Sequence, residues 1–347
     1  MSLEQFDFTE IEQMMGEIFA NQRLQFADIV ESLIKGEIDS SLKLIGELIG
    51  ELFFYEIQAS RNGLIHILVL VILAAVFANF SSMFKGAQVS EISFSMLYML
   101  LITICLNNFR VLVESAMHHI GQLTDFMEVL SPLYFLAVAM ATGSVTSVSF
   151  YQIVLLIIYF IEILILNFLL PITQIYMIVR ILSEFSKEVQ LSKFAELIQT
   201  IVSWSLKTLL AGVIGLNVIQ RMLSPAIDAV KRGVLIRGGE TIPLIGDIVG
   251  NGTEIVIGTA VLIKNGIGIA GMIICLVICI TPIIQMAVTT FMYQVIAALI
   301  QPISDKRMVN CIGSMADGSK MILKILFATG TLFLITIAIV ASTTGGV

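Results

Sequence analysis

Apolar runs of membrane length dictate what this chain can fold into. Leu64–Phe80, Ile92–Val113, Phe150–Leu170, Ile269–Thr290 and Met321–Ala341 are almost unbroken hydrophobic stretches. A helix needs about 20 apolar residues to cross the roughly 30 Å hydrocarbon layer, so these read as single crossings. Further runs cover Pro132–Ala141, Pro171–Leu182, Thr208–Leu223 and Ile242–Ile263, and the Ile269 run extends past Pro282 to Ile300. Pro132–Ala141 is too short to cross, and Ile242–Ile263 is rich in glycine and carries Asp247 and Glu254. Both read as broken or re-entrant elements, which persist at membrane depth only where protein or a water-filled cavity covers the backbone. The expected fold is an all-α, polytopic integral membrane protein with about seven transmembrane helices, one or two of them re-entrant or broken.

Composition agrees. Only 13% of the 347 residues are charged and 57% are hydrophobic, with a mean hydropathy of +0.98, against about 25% and about 45–50% in soluble domains. A net charge of −7 speaks against nucleic acid and against a polybasic lipid-binding surface. The acidity is local. Residues 1–61 hold 12 acidic and 4 basic residues, while 62–347 hold 14 and 15. This divides the chain into an acidic N-terminal region, 1–61, and a nearly neutral transmembrane domain, 62–347.

Within 1–61 the 3–4 spacing of apolar residues predicts two amphipathic helices. Ile11, Met14, Met15, Ile18, Ile29 and Leu33 mark one face; after Gly36, the residues Ile38, Leu42, Ile45, Ile49, Leu52 and Phe53 mark another. Thr9 and Glu12 have the spacing of a capping box. Such stripes need cover from a partner, from the membrane body or from further copies of the chain. The acid excess ahead of the first span favours an extracytoplasmic position. Met1 leads into Ser2–Asp7 without a basic start or an apolar core, so either a leader has been removed or Leu64–Phe80 acts as the first insertion signal. Basic clusters around Arg180–Lys207, Arg221–Arg237 and Lys306–Lys324 cannot all be cytoplasmic with simple crossings, which argues for one hairpin that does not cross.

Two of the few proline pairs share one offset. Pro132 and Pro243 lie 111 positions apart, as do Pro171 and Pro282, and the offset also matches Arg110 with Arg221, Leu133 with Leu244, Thr142 with Thr253, Ile172 with Ile283 and Gln174 with Gln285. An internal repeat, 92–182 and 203–293, would make the four prolines paired hinges, and paired interrupted helices point to a transport pathway at the repeat interface.

The densest chemistry lies in the second copy. Pro243, Gly246, Asp247, Gly250, Gly252, Glu254, Lys264, Asn265, Gly266 and Gly268 combine a missing N–H donor, glycines and charges. Two readings stay open for them: a flexible polar hairpin lining a pore or gate, or close-packing glycines with acids held at the water interface. Glu162 lies inside a long apolar run, and an intramembrane carboxylate is costly unless paired. Lys264, Lys207 and Asn167 are its candidate partners. Asn107 and Asn108 are candidates for hydrogen bonds between helices.

Cys105, Cys275, Cys279 and Cys311 form no disulfide or metal framework and read as small apolar fillers. His118 and His119 are adjacent, face different ways and read as surface residues. No phosphate-binding loop occurs, nor the motifs HExxH, GxSG or GxGD, so no enzyme, cofactor or metal is expected.

Three short words occur in order: Pro225-x-x-Asp228-x-x-Lys231, Ile242-Pro243-Leu244-Ile245-Gly246 and Ile263-Lys264-Asn265-Gly266-Ile267-Gly268. In these the chain resembles the stage III sporulation protein AE family. The resemblance implies a multi-spanning, permease-like subunit of a channel joining mother cell and forespore, placed in the mother-cell membrane surrounding the forespore. It implies ring-forming sibling subunits and a separate cytoplasmic ATPase as partners, beside the lipid bilayer. That family usually begins with a cleavable leader, of which no sign is seen here. The Ile-Pro-x-Ile-Gly word is also similar to one in autoinducer-type exporters, by analogy only. Two alternatives stand beside a channel subunit: an independent proton-coupled secondary transporter, and a non-conducting scaffold for partner rings. Homo-oligomerisation would cover the N-terminal stripes.

Overall fold

The computed structural model describes residues 6–18, 25–35, 87–142, 146–186, 189–239 and 246–343, with scattered helical positions between 50 and 76; near several helix ends only the backbone is described. All regular structure among them is helical. The helices are α1 (Thr9–Ile18), α2 (Phe26–Lys35), α3 (Ala87–Thr142), α4 (Thr146–Leu164), α5 (Leu170–Ser186), α6 (Val189–Gly239), α7 (Gly246–Ile300) and α8 (Lys306–Thr343). A π-helical turn, Ile165–Leu169, joins α4 to α5, so these two form one continuous rod.

Five helices among the described residues are long and apolar enough to cross a membrane: Phe94–Ala141, Gln152–Glu184, Leu191–Leu216, Thr259–Ile300 and Lys306–Ala338. Two of the expected separate runs are instead parts of longer helices. Pro132–Ala141 is not a re-entrant piece; it forms the last turns of α3, which runs unbroken through Pro132. Proline in a helix removes one N–H donor and crowds the preceding turn. The helix nevertheless continues, and one residue earlier the Ser131 hydroxyl donates to the Met127 carbonyl at 2.5 Å. Ile242–Ile263 is likewise no broken element where it is described: from Gly246 it is helix, continuous with the former Ile269–Ile300 run through the buried Pro282. The Leu64–Phe80 span and Pro243 lie outside the described residues, apart from scattered positions of the former.

Pro171 has a different solution. It stands two residues beyond the end of the π turn, after Leu170, whose N–H bonds back to the Ile165 carbonyl. The widened turn accommodates the missing donor of Pro171 without a break, a frequent use of such bulges. Thr173 adds a hydroxyl bond to the Leu169 carbonyl at 2.7 Å. The expected repeat hinges therefore have unlike local structures. α3 ends at Thr142, whose counterpart Thr253 lies inside α7.

The rods pack side by side, with α7 against α8 and α3 against both. On α3 the residues Tyr98, Leu101, Cys105, Phe109, Val113 and Ala116 are buried at helical spacing. Cys311 does not sit in a polar connection; it is buried in α8, within hydrogen-bonding reach of Cys105. Where helices approach closely, glycine makes the room: a β-carbon at Gly318 would fall 2.6 Å from the Phe109 ring.

One end of the bundle is stitched by polar groups. Asn310 Nδ2 of α8 donates to Glu184 Oε2 of α5 at 2.8 Å, Arg180 pairs with Glu184 at 3.7 Å, and Arg180 Nη1 donates to Ser192 Oγ of α6 at 3.3 Å. Arg307 lies 4.4 Å above the Phe94 ring. Asp305 Oδ1 accepts the Arg307 N–H at 2.8 Å and so starts α8 after the tight α7–α8 connection.

The amphipathic α1 and α2 find their cover on the membrane body: α1 packs on α3 and α2 on α7. Ile11, Met15, Phe26 and Val30 are buried there. The expected Thr9–Glu12 capping box is not what forms. Asp7 Oδ1 accepts the Thr9 N–H at 3.0 Å, and Glu12 turns instead to the next helix, accepting the Ala27 N–H at 2.9 Å. The second amphipathic stripe, Ile38–Phe53, lies outside the described residues.

Candidate functional site

The residues singled out in the second repeat copy are spread along the first half of α7. Gly246, Asp247, Gly250, Gly252 and Glu254 occupy its opening turns, where only backbone is described. Further along, Lys264 is buried, 1% exposed, and Asn265 is exposed. Gly266 and Gly268 serve close packing. A β-carbon at Gly266 would lie 3.1 Å from Ile34 and 3.3 Å from Val30 of α2; at Gly268 it would lie 2.9 Å from the Tyr134 hydroxyl of α3. That hydroxyl is buried without a hydrogen-bond partner among the described residues.

Glu162 lies on α4 just before the π turn and is half-buried. Lys207 is exposed on α6, and Asn167 is exposed in the π turn.

A larger polar feature lies on α3. Asn107, Arg110, Glu114, His118, Asp125 and Glu128 are all exposed and recur at spacings of three, four or seven along α3, which places them on one face. Arg110 and Glu114 form an ion pair at 2.7 Å with side chains 73% and 54% exposed. On the same helix the exposed Ile92, Met96 and Met99 precede the stripe, and the exposed Leu136 and Met140 follow it. The apolar stretch Phe94–Ala141 has 48 residues, about 72 Å at 1.5 Å per residue, more than twice the roughly 30 Å hydrocarbon layer, so only part of α3 lies within a bilayer. Asn107 and Arg110 also border a cavity of about 320 Å³ with Gln174 of α5. The larger groove, about 610 Å³ between α4 and α6, is walled by apolar residues such as Leu156, Phe160, Trp204 and Leu216 and offers nothing to a hydrophilic solute.

The apolar spans concealed this stripe, because hydropathy averages over all sides of a helix. The 3–4 spacing of its polar members is the signal that finds it. Among the described residues no group of three His, Cys, Asp or Glu side chains could hold a metal ion.

Comparison with known proteins fixes the lineage. The family model described as Stage III sporulation protein AE matches residues 24–344. The chain belongs to the stage III sporulation protein AE family. The Stage III sporulation protein AE of Bacillus subtilis (strain 168) is 25% identical over 288 residues, which cover 83% of this chain and 72% of that protein. No solved structure matches the chain. The resemblance carried by the three words between Pro225 and Gly268 thus extends over most of the sequence.

Proposed function

We propose that this chain is a non-enzymatic, membrane-embedded channel or permease-like subunit of a sporulation transport complex connecting mother cell and forespore. In this reading it sits in the mother-cell membrane around the forespore and works with sibling ring subunits and a separate ATPase. The observation that supports the reading is Glu162, a half-buried carboxylate inside the apolar span Gln152–Glu184. An ionisable residue within a spanning segment is by default a candidate for a solute or ion path. Purified protein in liposomes is expected to release a small hydrophilic dye without an imposed gradient. No release from wild-type protein in sealed, correctly inserted vesicles counts against conduction.

A second reading, a proton-coupled secondary transporter, draws on the same Glu162. It requires uptake that appears only with a pH gradient and vanishes in Glu162→Gln. The scaffold reading requires that dye release be absent while removal of residues 1–61 abolishes assembly with partner subunits.

A further inference from the structure

Two thiols from helices far apart in the chain meet in the core. Cys105 of α3 and Cys311 of α8 are both fully buried, and their side chains lie within hydrogen-bonding reach of each other. We propose that Cys105 and Cys311 are a redox-responsive pair, which hydrogen peroxide closes into a disulfide that locks α3 to α8. The inference goes beyond the transport reading above and does not depend on conduction.

Packing holds the two helices together on either side of the pair. Arg307, near the start of α8, lies 4.4 Å above the Phe94 ring of α3. Further along, Gly318 leaves room for the Phe109 ring, which a β-carbon there would meet at 2.6 Å. The contacts of Phe94 with Arg307, Cys105 with Cys311 and Phe109 with Gly318 follow the same order along both helices, so the thiols belong to one continuous seam. A disulfide needs its β-carbons about 3.5–4.5 Å apart. Cys275 and Cys279 also meet through their sulfurs. Being four apart on one helix, they keep β-carbons about 5–6 Å apart, and closing them would unwind α7. Cys105 and Cys311 converge from separate helices and escape that restraint.

Burial shuts out bulky thiol reagents and leaves a small, uncharged oxidant as the one suited to the site. Peroxide converts the first thiol to a sulfenic acid and releases one water. The second sulfur then attacks the oxidised one, the S–S bond forms, and the sulfenic hydroxyl leaves as water with the second thiol's proton. The two thiols supply the two electrons that reduce the peroxide. A neighbouring thiol captures the sulfenic acid before it passes to the irreversible sulfinic stage.

The test exposes the full chain in membrane vesicles to hydrogen peroxide, quenches with catalase, denatures, and counts thiols with a mass-tagged maleimide. The four free thiols should fall to two and return to four with dithiothreitol. Peptide mapping should join positions 105 and 311. Oxidation should raise the Tm by several degrees, because a link that closes a long loop restrains the unfolded chain strongly. Cys311→Ala should lose the rise, and Cys275→Ala should keep it. Four thiols still titratable after peroxide overturn the proposal. A loss that dithiothreitol does not reverse, or a bond joining other cysteines or two chains, also overturns it. A Cys105–Cys311 bond that leaves the Tm unchanged overturns the lock.

Discussion

Glu12 Oε1 accepts the backbone N–H of Ala27 at 2.9 Å, so the side chain of one N-terminal helix caps the start of the next. The bond holds α1 and α2 as a hairpin whose apolar face, through Ile11, Met15, Phe26 and Val30, rests on α3 and α7. Removing a cap costs about 0.5–2 kcal/mol. Glu12→Ala is therefore expected to speed hydrogen exchange at Ala27 and Asp28 several-fold, while Glu12→Gln, which keeps an acceptor, loses less. Exchange unchanged in both variants would show that packing alone holds the hairpin.

The first turn of α1 carries its own pH dependence. The hydroxyl and the backbone N–H of Thr9 both bond the Asp7 carboxylate and hold its pKa below the usual aspartate value. A depressed acid stabilises the fold fully above its unfolded value, near 3.9, and loses that contribution as pH falls through the lower native value. Protease sensitivity near Thr9 should stay flat from neutral pH down to about 5 and rise below about 4. Asp7→Asn should remove that acid-dependent part. A rise of equal size in the variant would assign it to other carboxylates.

Close approach of α8 to α3 depends on Gly318. A β-carbon there would meet the Phe109 ring at 2.6 Å and Met177 Sδ at 3.2 Å. Overpacking of this kind typically costs about 1–3 kcal/mol, so Gly318→Ala should lower the Tm of the solubilised protein. Phe109→Leu, which trims the ring, should recover part of that loss in the double variant. Additive losses would place the strain elsewhere.

What the sequence made legible follows from where its signals are physical. Helical spacing placed Ile11 and Met15 on the buried face of α1 and identified 1–61 as amphipathic, because burial of an apolar stripe is a local requirement. The ends of the long helices were not legible. Pro132 and Pro282 look like breaks in a linear string, yet α3 and α7 run on through them. Pro171 kept its helix by another route, the π turn at Ile165–Leu169. Glu12 was assigned to the right chemistry, capping, but to the wrong helix, since tertiary packing brings the start of α2 to its carboxylate. The glycine words of 263–268 marked a close approach to Ile34 and Tyr134. The stripe from Asn107 to Glu128 was present in the sequence but masked by the hydropathy of the rest of α3.

The polar stitch between Glu184 and Asn310 joins two rods far apart in sequence and should behave as one energetic unit. Asn310 Nδ2 donates to Glu184 Oε2 at 2.8 Å while Arg180 approaches the other oxygen at 3.7 Å. The Arg180 and Glu184 side chains are only 29% and 19% exposed, so water replaces lost partners incompletely. Glu184→Ala takes a partner from both Asn310 and Arg180, whose Nε is already buried without a hydrogen bond among the described residues. It should therefore destabilise more than Asn310→Ala, which leaves the ion pair in place. A hydrogen bond to a charged group contributes roughly 1.5–3 kcal/mol when shielded, and partial exposure lowers this toward about 1 kcal/mol. A double-mutant cycle on thermal unfolding in detergent should return a coupling of that size. Strict additivity of the two losses would mean that the rods are held at this end by the Arg307–Phe94 contact and side-chain packing instead.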